Sequence, residues 1–160
     1  MHPNDLEERT NYVVGKNDIE VIKTFLTEQK TLGKTLELGC GNGTYSEILI
    51  REAEYLTVTD FSDEMVAVSK KRLKGIGNIS VEKANCFSLS YPDSSFDTVF
   101  MANLLHVIPE PEKAVAEGKR VLNKNGRLIL DHQVFYFYND NLLLLHYVFI
   151  KPPLYISRPA

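Results

Sequence analysis

Leu36-Glu37-Leu38-Gly39-Cys40-Gly41-Asn42-Gly43 decides the fold. A short apolar run, Lys34–Leu38, ends abruptly in three glycines at alternate positions, and a helical pattern starts at Thr44. Glycine lets the backbone turn sharply and approach a ligand without a Cβ in the way. The amino end of the helix behind such a loop offers free N–H groups. Strand, glycine turn and helix in this order open an α/β unit. Taken alone, the segment also reads as a tight strand-to-helix turn with no ligand.

Working outward, residues 17–131 alternate helical and strand patterns. Upstream, Asn17 is placed to cap a helix with Glu20 three residues on, and Ile19, Ile22, Phe25 and Leu26 mark its inner face. Leu32-Gly33 ends that segment. Downstream, Thr44–Arg51 reads as helix with Ile48 and Leu49 inward, and Tyr55–Thr59 as the second strand, closing on Asp60. Ser62 caps the next helix, with Asp63 and Glu64 in its first turn and Gly75 as its stop. Ile79–Lys83 is a third strand, and Asp97–Met101 an apolar fourth suited to the centre of a parallel sheet. Pro111 opens a helix whose inner face carries Val115, Gly118, Val121 and Leu122, and Asn125-Gly126 turns the chain into a fifth strand, Arg127–Leu130. This alternation predicts right-handed crossovers and an open parallel sheet with helices on both faces. Ligands of such sheets lie at the carboxyl ends of the strands.

The rest of the composition sets limits. The chain has 160 residues, 44% hydrophobic and 24% charged, which fits one folded domain with its own core. A formal net charge of −3 and a pI near 5.8 argue against a dedicated nucleic-acid binder. Lys70-Lys71-Arg72-Leu73-Lys74 reads as the wet face of a helix. Two cysteines, Cys40 and Cys86, make no disulfide framework and are expected as free thiols in a reducing cytoplasm. Met1–Thr10 is too polar for a signal peptide, and the apolar stretches Leu142–Leu145 and Tyr147–Ile150 are too short for a bilayer span. Four scattered histidines and two distant cysteines form no metal-ligand pattern.

Asp60 gives the glycine loop a meaning. It ends the second strand seventeen residues after Gly43, where a carboxylate can accept both hydroxyls of a ribose lying across two strand ends. Loop and acid together point to a nucleoside-containing cofactor. The dinucleotide fingerprint fails, because counting from Gly39 the third glycine falls on Thr44, and no Gly-Lys-Ser/Thr step is present for a P-loop.

Taken in order, Glu37–Gly43, Asp60, Phe96-Asp97-Thr98-Val99, Asn103-Leu104-Leu105-His106-Val107-Ile108-Pro109-Glu110-Pro111 and Arg120-Val121-Leu122-Asn123-Lys124-Asn125-Gly126-Arg127-Leu128 resemble the class I S-adenosylmethionine-dependent methyltransferases. The likeness is to the small-molecule subgroup termed type 11, or ubiquinone/menaquinone-methyltransferase-like, and covers residues 12–131. It implies a Rossmann-like α/β sheet of order 3-2-1-4-5 and methyl transfer from S-adenosylmethionine to a small acceptor by in-line displacement, leaving S-adenosylhomocysteine. It also implies site roles. Gly39, Cys40 and Gly41 would lie against the methionine part, with Glu37 supporting the loop or the cofactor's amino group. Asp60 would hold the ribose and Phe61 would stack on adenine. Where the family usually has an acid, Asn85-Cys86-Phe87 stands, so an uncharged Asn85 carbonyl would meet the adenine amino group. Asn103 and Leu104 would floor the space under the sulfonium. The same resemblance lets Tyr12 close over the cofactor, a position equally suited to a surface aromatic. No catalytic residue is assigned; His106, His132 and Asp131 are the nearby candidate bases if the acceptor must lose a proton.

After Asp131 the chain departs from the family pattern. Residues 132–160 hold seven of sixteen aromatics, three charges and three of seven prolines. The expectation is a core over 1–131 and an aromatic-rich tail over 132–160, with a helix near Asn141–Ile150 and a proline-rich extended end, without the full C-terminal antiparallel hairpin. The fifth strand would then be an open edge, and the tail would pack on the core, pair with a second copy, line a greasy acceptor pocket or touch a membrane surface. The alternative function is a non-catalytic or partner-dependent cofactor-binding protein of the same fold.

Overall fold

The structure, a computed structural model, describes residues 16–28, 31–138 and 141–150. Its elements follow in the order α1 (Lys16–Thr27), β1 (Gly33–Leu38), α2 (Ser46–Glu52), β2 (Ala53–Asp60), α3 (Asp63–Arg72), β3 (Ile79–Lys83), β4 (Phe96–Ala102), α4 (Pro111–Val121), β5 (Leu122–Tyr138) and β6 (Asn141–Ile150). The six strands form one sheet of order β3-β2-β1-β4-β5-β6, parallel through β5. The predicted order 3-2-1-4-5 stands, with one antiparallel strand added at its end.

Side-chain alternation along the strands divides the core between the two faces of the sheet. Phe100, Leu56, Val58 and Ile129 meet Ile22 and Leu26 of α1 and Leu49 of α2 in one cluster. Leu36, Leu38, Val99 and Met101 meet Val121 of α4 and Leu128 in the other. Two of the start signals act as read. Ser62 caps α3 by accepting a hydrogen bond from the Met65 N–H at 3.4 Å, and Pro111 opens α4. Asn17 lies one residue inside α1 instead of capping it.

Two expectations are corrected. First, Asn141–Ile150 is not a helix. It is β6, paired antiparallel with β5 so that Asp131 faces Val148 and Phe137 faces Leu142. A short apolar run does not choose between helix and strand by pattern; the unpaired backbone along β5 does, because β6 satisfies its hydrogen bonds. The edge expected on the fifth strand is therefore closed. Second, β5 is far longer than Arg127–Leu130. Leu122 pairs with Phe96 and Arg127 with Thr98, so Asn123–Gly126 bulges out of the ladder where a turn was read. The proline-rich end and Tyr12 lie outside the described residues, as do the side chains of the aromatic segment.

Strand order reverses between β1 and β4. Connections from β1 run to β2 on one side while β4 lies on the other, which opens a crevice at the carboxyl ends of β1 and β4.

Candidate cofactor site

That crevice is a cavity of about 550 Å³. Its floor is the glycine loop. Gly39 and Cys40 both donate their N–H groups to the Thr59 carbonyl at 2.9 Å, which locks the loop onto the end of β2. Gly39 has a φ of +73°, and a Cβ there would stand 2.8 Å from Leu104 Cδ1, so only glycine allows the loop to lie this close to the segment after β4. Gly41, at φ +54°, is different. A Cβ there meets nothing within 4 Å, because its open side faces the cavity.

Asp60 stands beside the loop. Its Oδ2 accepts the Gly41 N–H at 2.9 Å and its Oδ1 accepts the Ser62 N–H at 2.9 Å. Both oxygens keep further acceptor capacity. Among the described residues Asp60 is the only carboxylate lining the cavity, and none of them in the lining is Lys or Arg. These described residues offer a pyrophosphate no countercharge, in line with the failed dinucleotide spacing.

Glu37 and Cys40 lie under the loop and outside the cavity lining. Glu37 is 2% exposed and accepts the Ser46 hydroxyl at 2.5 Å, which ties β1 to the first turn of α2. Burial, opposed by the Ser46 bond and aided by the Asp60 charge, pushes its carboxyl up to about 7. The buried Cys40 thiol is 3.4 Å from the Ser69 hydroxyl, and burial raises it to about 12, so it is inert. Ser69 in turn donates to the Gly41 carbonyl at 2.8 Å. Both predicted residues thus support the loop from beneath, and Cys40 offers the site no side chain.

The remaining predicted residues gather around the cavity. Phe61 is 68% exposed at its rim, with Lys83 Nζ 5.6 Å over the ring. Asn85, Cys86 and Phe87 form one wall. Asn85 Oδ1 accepts the Phe87 N–H at 3.0 Å, so the carbonyl expected to meet adenine already closes a turn. Asn103 and Leu104 line the opposite side. Asn103 has a φ of +51°, a costly conformation for a non-glycine residue, and its buried Nδ2 has no hydrogen-bond partner. Its backbone N–H donates to the Asp131 carbonyl at 3.0 Å, which holds the strained turn in place.

Sequence reasoning gave no role at the site to Val107, Ile108 and Pro109, which form an apolar wall beside Leu104, nor to Thr59, Ser62 and Ala84. The first three lie within a quoted motif but are ordinary apolar residues. Position just past a strand end was the available signal for the others. Of the candidate bases, His106 is exposed and outside the lining, and Asp131 is buried with Oδ2 accepting the Tyr45 hydroxyl at 3.1 Å. The His132 side chain lies outside the described part. Among the described residues no three His, Cys, Asp or Glu side chains converge as metal ligands, and no helix is long and apolar enough to cross a membrane.

A parallel sheet of this order, with a glycine loop and an acid at the ends of β1 and β2, defines a nucleoside-cofactor domain. Comparison with known proteins narrows the class. Residues 36–130 match the family model described as a methyltransferase domain. The demethylmenaquinone methyltransferase of Clavibacter sepedonicus is 31% identical over 126 residues, covering 77% of this chain and 51% of that protein. The phosphatidylethanolamine N-methyltransferase of Cereibacter sphaeroides is 36% identical over 101 residues, covering 61% and 49%. An S-adenosylmethionine-dependent methyltransferase from Aquifex aeolicus superposes with a TM-score of 0.69 at 22% identity, over 88% of this chain and 78% of that one, which bears on the fold alone. The chain belongs to the methyltransferase-domain family, and S-adenosylmethionine is the cofactor of that class. It spans about half the length of the curated relatives it matches.

Proposed function

We propose that the protein transfers a methyl group from S-adenosylmethionine to a small-molecule acceptor. One observation carries the reading: Asp60, pinned by two backbone N–H groups of which one is that of Gly41, stands beside the open side of Gly41 in a cavity with no other charged side chain among the described lining residues. The residues fit the cofactor. Asp60 accepts from ribose hydroxyls, Gly39 and Gly41 admit the methionine part against the backbone, and Phe61 offers an aromatic face for a purine. The unpartnered Asn103 amide gives a buried donor where the two halves of the site meet.

When bound, the cofactor supplies an electrophilic methyl group on a sulfonium. The chain's part is to bind, align and keep out water. Gly39 and the strained Asn103 bring the glycine loop and the β4 turn together. Leu104, Val107, Ile108 and Pro109 give the mouth a water-excluding apolar wall suited to an apolar acceptor. The anionic Asp60 favours the cationic form of the cofactor over its neutral product. Among the described residues no His or Lys side chain lines the cavity, so an acceptor that is already nucleophilic fits best.

Two further readings accompany this one. The outer edge of β6 has no strand partner among the described residues, and pairing with a second copy there would bury it. Sedimentation showing only monomer at micromolar concentration overturns that. Two free thiols fit a cytoplasmic protein.

The first experiment is calorimetry with S-adenosylhomocysteine, beside Asp60→Ala. Micromolar binding that is lost in the variant is the expected result. A folded wild-type chain that binds neither this ligand nor S-adenosylmethionine overturns the assignment.

A further inference from the structure

Arg120 and Glu117, on the last turns of α4, lie outside the cavity, yet every strong bond they make is to each other or to the segment that follows the cavity wall. Glu117 grips Arg120 in bidentate fashion, Oε1 to Nε at 2.8 Å and Oε2 to Nη2 at 3.0 Å. The other guanidinium hydrogens go to the Leu89 carbonyl (2.9 Å), the Tyr91 carbonyl (2.9 Å) and Asp93 Oδ1 (2.7 Å). All five donors of the guanidinium are thus spent. Glu117 Oε2 also accepts the Leu89 N–H at 2.8 Å, so the pair holds both backbone groups of one loop residue. The Ser94 N–H donates to the Arg120 carbonyl at 3.1 Å.

The gripped segment is the irregular connection from β3 to β4. Its first four residues, Ala84–Phe87, are cavity wall. They are tied to the sheet by the Ala84 N–H on the Asp60 carbonyl at 3.0 Å, and they turn back through the Ser88 N–H on the Asn85 carbonyl at 3.0 Å. The next hold on the backbone is the pair at Leu89. We propose that the Glu117–Arg120 pair is a positioning device for the cofactor, setting the wall Asn85–Phe87 at the right distance from Asp60 and Phe61. This rests on the reading of the cavity as the cofactor site. It gives Arg120 of the fifth motif a task that the chemistry at the sulfonium does not supply. Lysine cannot replace it, because an ammonium lacks the planar fork that meets a carboxylate and three further acceptors at once.

The test uses wild type, Arg120→Gln, Arg120→Lys, Glu117→Gln and, as control on the exposed side of the same helix, Lys119→Gln. Calorimetry measures S-adenosylhomocysteine and 5′-methylthioadenosine, which has the purine and ribose but no amino-acid end. Hydrogen exchange follows the amides of 87–94 against those of Gly39 and Cys40. Expected are faster exchange at 87–94 only, a loss of about tenfold in affinity for both ligands in both Arg120 variants, as when a group supporting a binding residue is removed, a smaller loss in Glu117→Gln, and none in Lys119→Gln. If wild type binds neither ligand, the cofactor reading falls and this proposal with it. If wild type binds and Arg120→Gln binds equally well, whatever its exchange, this proposal alone falls. Greater loss for S-adenosylhomocysteine than for 5′-methylthioadenosine, faster exchange at Gly39 and Cys40, or unfolding of Arg120→Gln and Glu117→Gln alike also overturns it, because the pair is then a general support of the fold.

Discussion

Glu37 sits where a carboxylate is costly: buried, beside Asp60, with one hydroxyl to share its charge. Its carboxyl holds a proton up to about pH 7 in the folded chain, against 4.5 for the free group. Between those values the folded chain binds the proton and the unfolded chain has lost it. The stability this group contributes is full below about 4.5, falls as pH rises through the window, and is gone above about 7. Glu37→Gln removes that slope. Urea melts at pH 5 and pH 8 should show wild type losing up to about 3 kcal/mol relative to the variant across the interval; parallel pH profiles refute the assignment. Gly39 is the other sensitive position. Gly39→Ala combines a left-handed backbone with contact on Leu104 Cδ1, and should lower stability by about 1–3 kcal/mol. It should also weaken S-adenosylhomocysteine binding, because Leu104 must move and Leu104 lines the cavity. Wild-type stability in a urea melt rules out that account.

At the scale of elements, the sheet is fastened at both ends by different means. The carboxyl ends are joined through the glycine loop, Asp60 and the Asn103 turn, which also line the cavity. At the amino ends, Asp97 near the start of β4 does the work. Its Oδ2 accepts the Lys34 N–H of β1 at 2.9 Å, and its Oδ1 accepts Asn123 Nδ2 from the β5 bulge at 2.7 Å. Asp97→Ala orphans both donors and should cost about 1–3 kcal/mol. Affinity for S-adenosylhomocysteine should stay as in wild type, since Asp97 lies at the opposite end of the strands. A variant with unchanged stability but weakened binding contradicts this division between site and scaffold.

For the whole molecule, cofactor binding and folding are linked. A ligand held by residues from β1, β2, the β3–β4 connection and the β4 turn has its site only in the folded chain. S-adenosylhomocysteine at about 100 times its dissociation constant should therefore raise unfolding stability by about 2.7 kcal/mol. The increase should vanish in Asp60→Ala; a shift that persists there places the ligand elsewhere. The sequence by itself determined most of this molecule. The spacing of Gly39, Gly41 and Gly43, the acid at Asp60, Ser62 and Pro111 at helix starts, and the alternation of apolar runs specify the parallel sheet and its working end, because these signals are local and each has one geometric solution. Tertiary structure decided what depends on neighbours distant in sequence. Leu142–Leu145 became strand because β5 presented unpaired backbone to it. Glu37 and Cys40 came to lie under the loop, against Ser46 of α2 and Ser69 of α3, because those helices cover them. Val107–Pro109 became a wall, and Arg120 a clamp on the β3–β4 connection, only once the chain had brought them there, since an apolar residue or an arginine carries no mark of its partner until packing supplies one.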